Sequence, residues 1–175
     1  MECPTFSITA AVRQILGTQE FDTITDGTGN DTIEGYRRGD VIDGGAGNDE
    51  QRAGKGHDTV LGREGNDTVY TGMGDDLITT GAGADMIILS SRDLGFDFAA
   101  GNKTVTDFSV AEDRLGFDGV DAITWARLNS GETGFGISAN TDGDAVITWV
   151  SDHGFGGMVT LQGVSVGQVT AVLFV

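Results

Sequence analysis

The feature that most constrains this 175-residue chain is a period. From Gly17 to Ile88 it divides without a gap into eight consecutive segments of nine residues. The sixth position of each is aspartate: Asp22, Asp31, Asp40, Asp49, Asp58, Asp67, Asp76 and Asp85. Position eight is Ile24, Ile33, Ile42, Gln51, Val60, Val69, Ile78 and Ile87, so seven of eight are β-branched and apolar. Position four is glycine in six segments and position two in five. Such a nonapeptide reads as a glycine-rich loop ending in Asp, followed by a three-residue strand whose middle side chain points inward. A strand that short cannot bury itself. Two nonapeptides make one coil, and coils stacked about 4.8 Å apart give every strand parallel neighbours. The expected fold is all-β, a right-handed parallel β-roll in which two flattened sheets share one apolar interior.

Stacking sorts the aspartates. Loops two nonapeptides apart lie on the same side, so Asp31, Asp49, Asp67 and Asp85 form one column and Asp22, Asp40, Asp58 and Asp76 the other. Two carboxylates at that spacing repel by roughly 3 kcal/mol at an effective dielectric of 20. A bare column would open the roll, and a divalent cation between each pair removes the repulsion. The donors on offer are oxygens, from carboxylates and from loop carbonyls that glycine lets turn inward. Such a set suits Ca²⁺, whereas zinc would call for His or Cys. The formal charge of −17 and pI near 4.1 point the same way and argue against a nucleic-acid partner. With 29 Gly against one Pro, the chain asks for regular turns rather than a disordered linker.

Segments such as GGAGNDEQR, AGKGHDTVL and TGMGDDLIT resemble the repeats-in-toxin (RTX) nonapeptide, GGxGxDx(apolar)x, and the resemblance covers 72 of 175 residues. It implies that each Ca²⁺ takes the position-six aspartates of two stacked loops, with carbonyls from positions two and four of one loop and one and three of the next. On one side this gives Gly27, Gly29 and Asp31 with Gly44, Ala46 and Asp49; Gly45, Gly47 and Asp49 with Gly62, Glu64 and Asp67; and Arg63, Gly65 and Asp67 with Thr80, Ala82 and Asp85. On the other side it gives Asp40 with Ala53, Lys55 and Asp58, then Gly54, Gly56 and Asp58 with Thr71, Met73 and Asp76. Two loops depart from the pattern. Residues 17–25 place Gln19, Glu20 and Phe21 in the loop, and GYRRGDVID, residues 35–43, lacks glycine at positions two and four. The sites pairing Asp22 with Asp40 and Asp40 with Asp58 are therefore expected to be weaker than the rest. Gln51 replaces a core residue, and a local defect is expected there because a buried amide needs partners.

Residues 1–16 read as an N-terminal cap. Residues 89–175 read as a C-terminal cap of antiparallel strands, with turns at Asn140 to Gly143 and His153 to Gly157. The stretch TVTDFSVAEDRLGFDGV and the apolar VTAVLFV resemble the segment after the repeats in RTX proteins exported by type I secretion. That resemblance implies an export signal in the C-terminal region; a last cap strand accounts for VLFV equally well. No basic-then-apolar leader and no run of 18 apolar residues occurs, so neither a Sec-type signal nor a membrane span is expected. The single Cys3 excludes an internal disulfide.

Catalytic patterns are thin. Gly163 to Gly167 matches GxSxG, but no Asp and His follow Ser165. His57 and His153 do not have the spacing of a metalloprotease pair. Five of the ten basic residues, Arg37, Arg38, Arg52, Lys55 and Arg63, fall within the roll, where they soften acidic self-repulsion or offer an anionic polysaccharide a weak site. The expected function is a secreted, non-enzymatic calcium-binding module that folds on Ca²⁺ outside the cell. A polysaccharide-binding module, or the non-catalytic tail of a secreted enzyme, is the alternative.

Overall fold

A computed structural model describes residues 5–7, 13–90, 101–118, 136–150 and 156–170. Its strands form two sheets. The first sheet begins with β1 (Thr5–Ser7), β3 (Thr23–Thr25), β5 (Val41–Asp43), β7 (Thr59–Glu64), β9 (Asp76–Ala82) and β11 (Gly101–Val105), and ends with β15 (Gly156–Leu161), β14 (Ala145–Val150) and β13 (Gly136–Ala139). The second is β2 (Gln14–Leu16), β4 (Thr32–Glu34), β6 (Glu50–Arg52), β8 (Thr68–Tyr70), β10 (Met86–Ser90) and β12 (Arg114–Asp118). From β1 to β12 successive strands of the chain alternate between sheets, and strands one coil apart pair in parallel, as a β-roll requires.

Position eight of each nonapeptide sets the register. In the first sheet Ile24, Ile42, Val60, Ile78 and Val105 stand opposite one another in turn. In the second, Ile15, Ile33, Gln51, Val69, Ile87 and Leu115 do the same. All of these are buried. Burying an aliphatic side chain stabilises by about 1.5–3 kcal/mol, so the two stacks hold the sheets together although no strand of the repeat could stand alone.

Gln51 does not distort its strand, contrary to the expected defect. It keeps register between Ile33 and Val69 and is fully buried. Its Nε2 donates to Leu61 O at 2.9 Å across the roll, which satisfies half of the amide, while Oε1 has no partner. The amide leaves its mark on the interior instead. Ile15, Ile24, Ile33 and Ile42 form one apolar cluster, and Ala53, Val60, Val69 and the residues beyond form another.

Parallel pairing runs past both ends of the nonapeptide count. β1 and β2 lie parallel on β3 and β4, so residues 5–7 and 14–16 form a further coil. At the other end β11 and β12 continue the two sheets in parallel. Alternation in KTVTDFSVAEDRLGFDGV suggested antiparallel strands; the pairing differs because each strand finds its partner in the preceding coil, not in its sequence neighbour. β15 then adds in parallel to β11, and the antiparallel pairs β15–β14 and β14–β13 make the C-terminal cap. The β13–β14 turn forms at Asn140 to Gly143, where Asn140 Oδ1 accepts from Asp142 N and Asp144 N. Trp149 seals the apolar end, edge-on to Phe117 at 5.5 Å. The turn expected at His153 and the terminal VLFV lie outside the described residues. Among the described residues no helix is long and apolar enough to cross a membrane.

Candidate metal centre

Each loop ends in its aspartate just before a strand, and the carboxyl turns into the stack rather than toward solvent. All eight repeat aspartates are at most 3% exposed. Their two oxygens have different roles. Oδ1 accepts the backbone N–H of the aspartate one coil earlier: Asp31 N to Asp49, Asp49 N to Asp67 and Asp67 N to Asp85, each at 2.8 Å. On the other side Asp22 N, Asp40 N and Asp58 N donate to Asp40, Asp58 and Asp76 at 2.8, 2.7 and 2.9 Å. Aspartate at position six is thus a structural necessity in its own right, because a buried N–H left without an acceptor costs about 1–3 kcal/mol.

Oδ2 is left over. In Asp31, Asp40, Asp49, Asp58, Asp67 and Asp85 this atom is buried without a hydrogen-bond partner among the described residues. Burial and the like charges above and below raise the carboxyls: Asp40, Asp49 and Asp67 to about 6, and Asp58 to about 8. Asp76 and Asp85 are raised too, chiefly by burial. A row of buried, partly unsatisfied carboxylates is unfavourable near neutral pH unless a positive charge lies among them.

The backbone supplies the remaining oxygens. A methyl group built on Gly44 would lie 2.7 Å from Asp49 Oδ2 and 3.2 Å from the carbonyl of Gly62 in the next coil. On Gly35 it would lie 2.7 Å from Asp40 Oδ2 and 2.5 Å from Ala53 O, and Gly62 faces Asp67 Oδ2 and Thr80 O in the same way. The unpartnered carboxylate oxygen and a position-one carbonyl from the next coil therefore converge on one point beside Gly35, Gly44 and Gly62. Carbonyls at positions two and three each accept one inter-coil bond, as in Ala46 N to Gly27 O and Gly29 N to Ala46 O, and keep a second lone pair. Lys55, Met73 and Glu64 take part in the same bridges through their backbone, whatever their side chains. Among the described residues no three His, Cys, Asp or Glu side chains gather as a metal-binding group. The candidate cage is carbonyl-rich, with carboxylates from adjacent coils, and this donor set fits a hard cation of the calcium type.

The loop of residues 35–40 keeps its form without glycine at positions two and four. Tyr36 and Arg38 adopt φ of 76° and 71°, and Arg63 at position two of a later loop adopts 83°. Left-handed backbone of this kind costs a non-glycine residue about 1–2 kcal/mol. Gly47, at φ 134°, shows why glycine is the usual choice, because the Gly29 carbonyl occupies the space a Cβ would need. The loop of residues 17–22 differs. There Thr18 N and Oγ1 donate to Asp22 at 2.5 and 3.1 Å, so Asp22 closes on its own loop.

Four groups went unnoticed in the sequence. Asp26, at position one, is buried beside Asp31 with Oδ2 unpartnered; burial first, then Asp31, raises its carboxyl. Asp113 extends its column by one step, accepting Asp85 N at 3.0 Å and Ser109 N at 2.7 Å. Asp107 receives Thr80 N and Gly81 N at 3.0 and 2.8 Å. Lys103 stands at the end of the other column. The available signal was the spacing of position-six and position-eight types, D-x-L at 113–115 and K-x-V at 103–105, without insistence on nine residues between them.

Most of the basic residues are committed. Arg38 pairs with Glu20 at 3.2 Å, Arg52 with Glu50 at 2.6 Å and Arg63 with Asp43 at 2.7 Å. Arg37 and Lys55 lie side by side in adjacent loops. Ser165 N and Oγ both donate to Gln168 Oε1 around an exposed 3₁₀ turn, Val166–Gln168.

The family model of the RTX calcium-binding nonapeptide repeat, in four copies, matches residues 16–50 and 52–87, and the break falls on Gln51. Among solved structures the chain is similar to the AlgE6R3 subunit of the mannuronan C5-epimerase from Azotobacter vinelandii, at 26% identity and a TM-score of 0.59, covering 79% of this chain and 78% of that one. The AlgE6R2 subunit of the same enzyme overlaps at 22% identity and a TM-score of 0.45, covering 100% of this chain and 94% of that one. The extracellular lipase LipA of Serratia marcescens overlaps at 14% and 0.43, with 40% of the lipase covered. No curated protein matches the chain.

Proposed function

The chain is an RTX repeat protein, with calcium-binding nonapeptide repeats across residues 16–87, and from that premise we propose that it is a secreted, non-enzymatic module whose folding is coupled to Ca²⁺ outside the cell. One observation carries the reading: six buried Oδ2 atoms, coil after coil, have no hydrogen-bond partner among the described residues. Residues 17–88 hold fifteen acidic and five basic residues. Where free calcium is scarce, that charge, concentrated into two buried columns, opposes compaction and keeps the chain unfolded and threadable through an export channel of the type I kind. Where calcium is plentiful, binding free energy becomes folding free energy. The aspartate Oδ1 atoms hold adjacent coils in register through backbone N–H groups, and Oδ2 with the position-one carbonyls presents the cation with oxygens. In support of a non-enzymatic role, the Ser165 hydroxyl is committed to Gln168, and His57 Nδ1 accepts Asp75 N at 3.1 Å as part of the loop stack.

Circular dichroism tests the reading. The chain should be largely disordered in EGTA and gain β structure cooperatively in millimolar Ca²⁺, with Mg²⁺ much less effective because it demands a tight octahedron and gives up water reluctantly. A spectrum indifferent to chelation would contradict it. The second reading is binding of an anionic polysaccharide. It draws on the similarity to an epimerase subunit and on a groove of about 410 Å³ lined by Tyr36, Arg52 and Lys55, together with Glu34 and Glu50. The Arg52–Glu50 pair weakens the groove's positive field. Retardation by alginate in affinity electrophoresis, lost in Lys55→Ala, would favour this reading; unaltered migration would remove it.

A further inference from the structure

The column that starts at Asp22 does not end on an aspartate. After Asp76 the next coil enters at β11, 27 positions on in the sequence, and Lys103 takes the place opposite Asp76 while Val105 takes the place opposite Ile78. Asn102 N donates to Asp75 Oδ1 at 2.8 Å, continuing the position-five ladder of this side, in which Asp75 N donates to His57 Nδ1 at 3.1 Å. Lys103 therefore sits at position six of an irregular repeat, where all four nonapeptides of its column carry a carboxylate. Its side chain is fully buried. Nζ donates to Asp76 Oδ2 at 2.5 Å and to Gly74 O at 2.6 Å. These acceptors are a position-six carboxylate and a position-four carbonyl of one loop. Asp76 Oδ2 is correspondingly satisfied, whereas the same atom is unpartnered in Asp40 and Asp58 of the same column.

We infer that the Lys103 ammonium is a tethered replacement for a calcium ion: it occupies the cation position after Asp76, so the last step of this column closes through a side chain and takes no metal. The inference rests on the calcium reading of the columns and adds a difference between their two ends. The opposite column ends on Asp113, whose Oδ2 accepts Ser109 N instead of a cation. A buried ammonium must be matched closely by acceptors, and those it has are of the kind the repeats otherwise present to an ion.

Native mass spectrometry and thermal melts of the full chain at saturating Ca²⁺, for wild type, Lys103→Asp and Lys103→Met, test this. Lys103→Asp restores the aspartate of the repeat and should bind one more Ca²⁺ than wild type. Lys103→Met keeps length and removes charge, and should gain no ion. At saturating Ca²⁺ Lys103→Asp should melt above Lys103→Met, with the order reversed at low Ca²⁺, where two carboxylates face each other without a cation. If Lys103 were simply an ion-pair partner of Asp76, a second carboxylate would be the worse substitution at every Ca²⁺ concentration. An unchanged ion count in Lys103→Asp, or a Lys103→Asp no more stable than Lys103→Met at saturation, including failure of both to fold, overturns the inference. Absence of bound Ca²⁺ in wild type would instead overturn the calcium reading itself.

Discussion

On one side of the roll all four repeat loops keep glycine at position four; on the other, the first two carry Glu20 and Arg38 there. The carboxylate ladder nevertheless runs down both sides with the same geometry. The loop of Tyr36 and Arg38 lies between coils, and two neighbours impose the left-handed backbone on residues that resist it. The loop of Thr18 and Glu20 has a repeat coil on one side only, and there Thr18 draws Asp22 into a local cap. In a solenoid held by nearest-neighbour interfaces, conformation at an interior position is set by the stack, and at an end by the local sequence.

The largest expected effect sets an interior aspartate against a terminal one. Asp67 accepts Asp49 N, lies between Asp49 and Asp85, and has an unpartnered Oδ2; Asp22 is satisfied by Thr18. Asp67→Ala should raise the Ca²⁺ midpoint of folding about tenfold or more, the equivalent of at least about 1.4 kcal/mol. Asp22→Ala should shift it by about fivefold or less, since the local cap with Thr18 is worth about 1 kcal/mol. Asp67→Asn preserves an acceptor for Asp49 N and should fall between the two. Calcium titrations followed by circular dichroism give all three midpoints, and equal midpoints would mean that the coils bind independently.

A smaller effect is expected where the core is interrupted. Gln51→Val would join the two apolar clusters and remove the unpartnered Oε1, while Leu61 O keeps its bond from Gly44 N. Stability in Ca²⁺ should rise by about 1–2 kcal/mol, read from denaturant melts. A loss would show that the amide bond to Leu61 contributes more than the orphaned oxygen costs. Smallest is the loop comparison itself. Tyr36→Gly relieves a φ of 76° and should stabilise by up to about 1 kcal/mol. Glu20→Gly has no such strain to relieve and gives up only an exposed pair with Arg38, so it should change stability by less than about 0.5 kcal/mol. A gain in Glu20→Gly equal to that in Tyr36→Gly would remove the distinction between interior and end.

The period made the roll, its register and both columns legible, because in a solenoid one side-chain pattern dictates strand, loop and stack together. What escaped the reading was whatever broke the count without breaking the stack. Lys103 and Asp113 lie 27 and 28 residues after their partners, since a longer connection leaves the pairing of Val105 and Leu115 with the core unchanged. A buried Gln51 must either find partners inside the roll or twist its strand out; the backbone ladder on both sides fixes β6, and the amide finds one partner, Leu61 O, inside. Asp26 is not legible from the repeat because position one usually contributes a carbonyl, and an aspartate there brings a side chain to the same place.

The proposed function requires cations between successive aspartates of each column. Anomalous diffraction from crystals grown in Ca²⁺ measures that directly. Peaks are expected between Asp31 and Asp49, Asp49 and Asp67, Asp67 and Asp85, and Asp58 and Asp76, with none beside Lys103. Well-ordered coils without density at those positions, or calcium bound only at exposed surface carboxylates, would contradict it.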